Sequence, residues 1–103
     1  MQNMNELVRQ AGLMQNKIAN LQREMGDRTI EATSGGGMVK VIANCKQDIK
    51  SIEIDPKVIE SGDIEMIQDL ILTAVNEAIR ISRNTMEKEI SAITGGMQLP
   101  GIL

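Results

Sequence analysis

The amino-acid sequence predicts an α+β fold of αβββα order, in which a three-stranded antiparallel meander is flanked by two long helices. The prediction depends on the period of the apolar residues, which is helical over residues 1–26, alternating over 29–55 and helical again over 63–94. With 103 residues the chain suits a single domain, 1–103. Residues 95–103 are predicted to form a flexible tail.

The first helix has an uninterrupted heptad pattern. Its apolar residues recur at alternating steps of three and four, at Met4, Leu7, Ala11, Met14, Ile18, Leu21 and Met25. At a rise of about 1.5 Å per residue the helix is roughly 37 Å long, more than so small a domain can cover. We expect it to pack partly on its own sheet and partly on another helix, which favours self-association. Gly26 is predicted to cap its C-terminus.

Three short strands are predicted in the middle of the chain, where apolar and polar side chains alternate. They comprise residues 29–34, 38–45 and 49–55. In the third strand, Ile52 and Ile54 are expected to face the core, and Pro56 ends the strand because proline has no N–H for the ladder. The three glycines at 35–37 match neither the GxGxxG nor the GxxxxGK[ST] phosphate-loop pattern. We interpret them as a hairpin or bulge that needs positive φ or a close backbone approach.

The last helix is predicted to begin near Asp63, whose side chain is suited to cap the first turn. Its first half carries a wide apolar stripe made of Ile64, Ile67, Leu70, Ile71, Leu72, Ala74, Val75, Ala78, Ile79 and Ile81. Such width predicts burial against the sheet. After Ile81 the stripe narrows to Met86, Ile90 and Ile93, so this half is predicted to leave the globular body.

The composition argues against enzymatic chemistry. The chain has no His, Phe, Trp or Tyr, its formal charge is −3 and its pI is about 4.9. Without His it lacks the usual general base near neutral pH and the commonest metal ligand. We therefore expect no enzyme activity, no cofactor, no metal site and no small-molecule substrate. The single cysteine, Cys45, alternates with small apolar residues and is expected to be buried rather than nucleophilic.

The sequence also predicts where the protein resides. A lone cysteine suits a reducing compartment. The first residues contain no apolar run of signal-peptide length, and no stretch approaches the ~20 apolar residues of a membrane span. We therefore expect a soluble protein of the cytoplasm with no membrane partner.

Four segments carry a combined family signature. They are GGGMVKV (35–41), IEIDP (52–56), DLILTAVNEAI (69–79) and TGGMQLPG (94–101). Each is common alone, but in this order and spacing they resemble the YbaB/EbfC family of bacterial nucleoid-associated DNA-binding proteins over nearly the whole chain. The resemblance implies a tweezer-like homodimer in the nucleoid, whose projecting helices contact double-stranded DNA with little or modest sequence specificity. It further implies a contribution to nucleoid organisation and gene regulation.

Basic and amide side chains on and beside the two long helices are the candidate DNA-binding residues. They are Arg9, Asn16, Lys17, Arg23, Arg28, Arg80, Arg83 and Lys88. With Met4 as heptad position a, Arg9, Asn16 and Arg23 fall on the outward f stripe at steps of about 10 Å. Residues 1–28 carry a net charge of +1 in a chain of −3. The resemblance favours DNA contact, most clearly for the first helix.

Two other interpretations stay open. By themselves, these charges fit a solvated helix face with exposed pairs such as Arg83–Glu87. Alternatively, the chain is a protein-interaction module that grips a replication, recombination or repair protein without binding DNA. The acidic pI and the absence of aromatic residues favour that module, whereas the outward stripe of Arg9 and Arg23 favours DNA.

Overall fold

The structure, a computed structural model, describes residues 3–95 and has the predicted αβββα order with one additional short helix. Its elements are α1 (Asn3–Asp27), β1 (Thr29–Ser34), β2 (Val39–Asn44), β3 (Ile49–Ile54), α2 (Pro56–Glu60) and α3 (Ile64–Thr94). The predicted flexible tail lies outside the described residues, apart from Gly95. The molecule is elongated, measuring 72 × 20 × 18 Å along its principal axes.

The additional helix, α2, begins where β3 ends. The Asp55 carboxylate accepts a hydrogen bond from the Lys57 N–H at 2.9 Å, and Pro56 occupies the first turn. Proline is favoured there because the N–H it lacks has no partner within a first turn. At the next helix, Asp63 caps α3 as predicted and accepts from the Met66 N–H at 3.0 Å.

The three strands form one antiparallel sheet in the order β1-β2-β3. The glycines that join β1 to β2 have φ values of 61°, 68° and 96°, which confirms the predicted need for positive φ. Gly35 also lies against α3, since a Cβ there would be 2.8 Å from Leu70 Cδ2. This turn leads into a strand and not into a helix N-terminus.

α3 packs across the inner face of β1 and β2. The core between them consists of Ala32, Val39, Val41, Ala43, Ala74 and Ala78. Because these side chains are small, the helix can approach the sheet closely. Two serines attach α3 near opposite ends of the strands. Ser34 Oγ donates to the Leu70 carbonyl at 2.6 Å, and Ser82 Oγ lies 2.8 Å from the Asn44 carbonyl.

The third strand lies beyond the area that α3 covers. Ile52 is the register partner of Val41, so the two side chains share the inner face. Val41 is fully buried, but Ile52 is 44% exposed and Ile49 is also exposed. The expectation that Ile52 and Ile54 face inward is confirmed, but only Ile54 is partly buried against the core, whereas Ile52 stays exposed. Strands lie about 4.8 Å apart and a helix is about 10 Å wide, so one helix covers two strands.

The apolar stripe of α3 is buried only in part. Ala74 and Ala78 are fully buried, whereas Ile64 and Leu72 stay largely exposed. The predicted burial against the sheet is wrong at these two positions. Leu72 is two residues from Ala74 and so projects from the far side of the helix. Ile64 lies more than one turn before Leu70, which already sits at the end of β1.

Beyond the sheet, α1 and the second half of α3 pack side by side, as the thinner apolar stripe of α3 predicts. Their contact consists of Leu21, Met25, Cys45, Met86 and Ile90. α1 packs on α3 and reaches the sheet near its C-terminal end, so the part of the helix that was expected to lie on its own sheet is short. We call α1 with Arg28 and residues 80–94 the arm, and residues 29–79 the body.

α1 ends against β2 and not at the predicted glycine cap. The helix continues to Asp27, and Gly26 is not among the residues with positive φ. The Met25 carbonyl accepts from the Cys45 N–H at 3.0 Å, and the Gly26 carbonyl accepts from Asn44 Nδ2 at 3.1 Å. Because donors at the end of β2 satisfy these carbonyls, a left-handed glycine is not required.

The first turns of α1 extend past the end of α3. Ile18 is 6% exposed, whereas Leu7 and Met4 are 60% and 71% exposed. α3 ends at Thr94, and Ile90 and Ile93 near that end pack in the cluster that contains Leu21 of α1. Within the described residues, the predicted heptad seam is therefore filled by α3 from Ile18 onward and is bare before Met14.

Candidate nucleic-acid interface

Charge is distributed unevenly between the body and the arm. Residues 29–79 contain four Lys and nine Asp or Glu, a net of −5, whereas residues 1–28 and 80–103 each carry a net charge of +1. Acidic side chains are concentrated at the start of α3, where Asp63, Glu65 and Asp69 line a shallow hollow. The negative charge of the body therefore repels a polyanion such as DNA, whereas the small positive charge of the arm does not.

The predicted f stripe lies on the outer surface of the arm. Arg9, Asn16 and Arg23 are all exposed. They project from the side of α1 opposite Ile18 and Leu21, the residues buried against α3. Because positions seven apart align along a helix, the three side chains form a row with steps of about 10 Å. This row is accessible to a ligand that runs along the arm.

The arginines of this row already have neighbours on their own helix. Arg9 Nε donates to Glu6 Oε2 at 3.2 Å, and Arg23 Nη2 donates to the Asn20 side-chain oxygen. Exposed pairs one helical turn apart are worth only about 0.2–0.5 kcal/mol. A phosphate oxygen can therefore replace Glu6 or Asn20 as the acceptor at little cost.

Lys17 lies on α1 beside the row, and Arg28 follows the end of α1. Arg28 Nη1 is 3.2 Å from Glu89 Oε1, and this ion pair joins α1 to α3 across the arm. Both side chains are about half exposed, so the pair contributes little stability. Lys17 is exposed and forms no ion pair with the described residues.

The three candidates on α3 do not form one patch with the α1 row. Arg80 is paired with Glu77, and this contact lowers the pKa of the Glu77 carboxyl and raises that of the Arg80 guanidinium. Arg83 is exposed, and among residues 3–95 the expected Arg83–Glu87 pair is not formed. Lys88 lies two residues from both Met86 and Ile90, which face α1, so it projects from the far side of α3.

The eight predicted residues therefore occupy separate faces of the arm. The structure brings Arg9, Asn16 and Arg23 into one row, places Arg28 at the junction of the helices and leaves Lys88 on the far side. One straight duplex cannot lie against all of these faces of a single arm. The α1 row is the most continuous of them.

Sequence patterning missed two features of the sheet. On its outer face, Lys40 Nζ lies 3.4 Å from Glu31 Oε1 and 3.6 Å from Glu53 Oε2. Hydrogen bonding and attraction from Glu31, with the charge of Glu53, raise the pKa of Lys40. The single positive charge of Lys40 is paired with two carboxylates, so this group of side chains is acidic and does not attract DNA phosphates. The second feature is the uncovered inner face of β3. The sequence signal for it is that the α3 residues at the centre of the helix–sheet contact, Ala74 and Ala78, are small, so the helix covers only a narrow part of the sheet.

Other kinds of site find no support among residues 3–95. Burial raises the pKa of the Cys45 thiol, whose side chain is fully enclosed between the helices and β2, as expected for a small hydrophobe. In this part of the chain, no group of three or more His, Cys, Asp or Glu residues is arranged to hold a metal ion. No described helix combines the length and apolar character needed to cross a membrane.

Comparison with known proteins shows which protein family the chain belongs to. Residues 1–97 match the model of a family described as the YbaB/EbfC DNA-binding family, and the chain belongs to this family. It is a family of DNA-binding proteins and not of enzymes. The resemblance carried by the four sequence motifs is thereby confirmed.

Relatives cover the chain almost from end to end. A protein of Moorella thermoacetica called a nucleoid-associated protein is 50% identical over 101 residues, which are 98% of this chain and 97% of the relative. A protein of Desulforamulus reducens with the same name is 48% identical over 100 residues, which are 97% and 95% of the two chains. The match thus extends over the arm as well as the body.

The fold is also found in a solved structure. The chain is similar to the crystal structure of an uncharacterized protein, HP0035, from Helicobacter pylori, with a TM-score of 0.79. The identity is 23%, and the match covers 88% of this chain and 96% of the other. At this identity the similarity demonstrates a shared fold.

Proposed function

We propose that this protein binds the backbone of double-stranded DNA as a homodimer, with little or modest sequence specificity, through the outer row of each arm. In this role it is a nucleoid-associated protein that resides in the nucleoid, within the cytoplasm, and contributes to nucleoid organisation and gene regulation. The observation that carries the proposal is the polarity of charge along the molecule. The body carries −5, and the exposed row of Arg9, Asn16 and Arg23 lies on the arm.

The row is suited to phosphates and not to base edges. Arginine donates to phosphate oxygens in a charge-assisted fork, and Asn16 can donate from its amide without adding charge. Each cation that neutralises a phosphate releases a condensed counterion, so affinity falls steeply with salt. The acidic body keeps the total affinity modest and orients the arm towards the duplex.

The proposed homodimer uses the bare inner face of β3. Ile49 and Ile52 are exposed on an edge strand, and the edge of β3 away from β2 has no partner strand among the described residues. An uncovered apolar strand of this kind is prone to pair with another chain. A second copy offers the same isoleucines, so an isologous contact buries both patches and presents two arms to one duplex.

The decisive experiment measures binding to labelled duplexes of unrelated sequence by fluorescence anisotropy at several salt concentrations. The two arginines of the row, Arg9 and Arg23, make about four charged phosphate contacts on two arms, for which the log–log slope is about −4. Similar affinities and slopes across the duplexes are expected. The double variant Arg9→Glu/Arg23→Glu should lose at least roughly tenfold in affinity and give a shallower slope.

A matched pair of single variants controls for total charge. Arg23→Glu on the arm and Lys57→Glu on the body change the charge equally, and both side chains are exposed. Only Arg23→Glu is expected to weaken binding substantially. Light scattering checks that each variant has the oligomeric state of the parent. A double variant that keeps this state and binds DNA as well as the parent would show that the row is not the site.

A protein-interaction module is the second candidate function. The acidic body, with net −5, and the bare apolar residues of α1 favour it. A replication, recombination or repair protein is the partner class in this case. The outcome that favours it is an absence of DNA binding even at low salt, together with a purified partner that stays bound after nuclease treatment.

A further inference from the structure

A small hollow lies between α2 and the first turn of α3. It has a volume of about 190 Å³, its surface is mostly apolar, and it is lined by Met38, Asp55, Lys57, Val58, Ser61 and Met66. Ile59 and Ile64, which are close in sequence to these residues, are exposed, as is Met38. An apolar cavity of about 150 Å³ takes up a molecule the size of benzene, so the hollow has room for one apolar side chain.

A second hollow continues from the first along α3. Met66 lines both hollows, and the second is also bounded by Asp63, Glu65, Asp69, Leu70 and Thr73. From Met66 to Thr73 the lining residues follow the spacing of one side of a helix, over about 10 Å. We call the two hollows together the acidic groove.

The net charge of the body is concentrated around the acidic groove. Residues 53–69 contain six Asp or Glu and one Lys, a net charge of −5, so the other residues of the chain together carry +2. Glu60, Glu65 and Asp69 are exposed and form no ion pair with other described residues. The surface around the groove therefore attracts positively charged ligands.

Three other occupants do not match this surface. DNA is a polyanion and is repelled by the carboxylates. The carboxylates are not suited to a metal ion, because among the described residues no group of three or more is arranged to hold one. In an isologous contact a second copy would bring the same −5, and the terminal segments 1–28 and 80–103 carry only +1 each. The surface matches a ligand that is both apolar and strongly basic.

We propose that the acidic groove binds a basic amphipathic segment of another protein. The segment inserts an apolar side chain into the hollow between α2 and α3, and its Lys or Arg side chains lie beside Glu65 and Asp69. An amphipathic helix with apolar residues every three or four positions has the required pattern. Because exposed ion pairs contribute little free energy, the apolar side chain supplies most of the affinity and the charges supply specificity.

The acidic groove lies at the end of the body that is remote from the arm. Leu70 borders the groove, whereas Ser82 attaches α3 to the sheet near the opposite end of the strands, where the arm begins. These two residues are about 18 Å apart along α3. A segment bound in the groove therefore leaves the row of Arg9, Asn16 and Arg23 accessible, and the inference does not depend on DNA binding.

A synthetic peptide tests the proposal without DNA. The probe is a labelled helical peptide of Leu and Lys with all Leu on one face, and the control peptide has the same composition in scrambled order. Fluorescence anisotropy at about 0.15 M salt screens long-range attraction between exposed charges. The parent protein is expected to bind the amphipathic peptide about tenfold more tightly than the scrambled one. Equal affinities, or no binding of either peptide, would overturn the proposal.

One pair of variants tests the apolar part of the groove. Met66→Asp and Leu72→Asp each add one negative charge to α3, but only Met66 lines the groove, whereas Leu72 projects from the far side of the helix. Met66→Asp should weaken peptide binding about tenfold, and Leu72→Asp should not weaken it. If the peptide responds to charge alone, both variants bind it more tightly, and the proposal is wrong.

A second pair tests the acidic part and uses only exposed positions. Asp69→Lys and Glu87→Lys change the charge of α3 equally, but only Asp69 borders the groove. Asp69→Lys should weaken binding about fivefold and Glu87→Lys less than about twofold. Equal losses would show that the peptide follows total charge and not the groove. Light scattering measures the oligomeric state of all four variants, and a change confined to the two groove variants would assign the groove to a contact between copies.

Discussion

Val41 and Ile52 face each other across the β2–β3 pairing on the same side of the sheet, yet Val41 is fully buried and Ile52 is 44% exposed. The difference arises because α3 packs mainly on β1 and β2, and Ile54 of β3 is partly buried against that core while Ile52 is not. Both residues are apolar and both are on the inner face, so neither hydrophobicity nor register distinguishes them. The uncovered half of this face is the surface that the proposed homodimer buries.

Ile52→Asp should therefore weaken the dimer while the monomer stays folded. Placing a carboxylate in a buried apolar contact costs about 2–3 kcal/mol or more, so the dimer dissociation constant should rise roughly 100-fold. Sedimentation equilibrium measures it. Ser51→Asp is the matched control, because Ser51 is the neighbouring exposed residue on the outer face, opposite Ile42. Equal effects from the two variants would mean that the inner face of β3 is not the interface.

The ion pair of Arg28 with Glu89 should limit how well the arm binds DNA. Glu89→Gln releases Arg28 for a phosphate, so affinity should rise about three- to fivefold and the salt slope should steepen by about 1 per arm. Stability should change by less than about 1 kcal/mol, since both side chains are half exposed. Anisotropy titrations and denaturant unfolding measure these two effects.

Glu87→Gln separates this effect from the change in total charge. It removes the same charge from α3, but Glu87 forms no ion pair with the described residues. If Glu87→Gln and Glu89→Gln increase affinity equally, Arg28 is not a DNA contact and the pair only joins the two helices.

The glycine turn predicts a difference between two adjacent substitutions. Both Gly35 and Gly36 have positive φ. A Cβ added at Gly35 would lie 2.8 Å from Leu70 Cδ2, whereas a Cβ added at Gly36 would have no atom within 4 Å apart from its chain neighbours. Gly36→Ala should cost about 1 kcal/mol from backbone strain. Gly35→Ala should cost about 2–3 kcal/mol because α3 must also move. Thermal unfolding at matched protein concentration measures both, and equal losses would show that Leu70 simply moves aside.

Cys45 should make the stability of the protein fall at alkaline pH. Burial raises the pKa of its thiol, so the native state retains a proton that the unfolded chain releases above the usual pKa of about 8.5. Stability is therefore complete below about pH 8.5 and declines above it by up to about 1.4 kcal/mol per pH unit. The chain has no His or Tyr to titrate in this range.

Urea unfolding of the parent and of Cys45→Ala between pH 7.5 and about 9.5 measures this decline. The variant should start less stable, because it leaves a small cavity, but its stability should depend less on pH. An equally steep decline in both proteins would assign the proton to another group.

Much of the fold was predictable because it is written in local patterns. Alternation defines β2, where Val39, Val41 and Ala43 are fully buried as predicted, as is Cys45 directly after the strand. The cap of α3 at Asp63 is also a local interaction, made within one turn. In contrast, α2 was missed because its five residues are too few to show a helical period, and Pro56 was interpreted only as the end of a strand.

The candidate site was predictable only in part, for the same reason. Heptad counting places Arg9, Asn16 and Arg23 on one row, since residues on a single helix have a known angular relationship. It does not show that Arg28 contacts Glu89, 61 residues away. It also does not show that Lys88 projects from the far side of a helix pair, because that depends on which face of α3 meets α1.

The sequence by itself determined the element order, the heptad seam, the face of each strand residue, the lack of His and aromatic chemistry, and the family. These depend on period, composition and motif order, which are properties of one stretch of chain at a time. The tertiary structure decided what covers each apolar face: α3 covers Val41 but not Ile52, and it covers Ile18 but not Leu7. Coverage depends on where two elements cross and where the shorter one ends, and no local pattern encodes either.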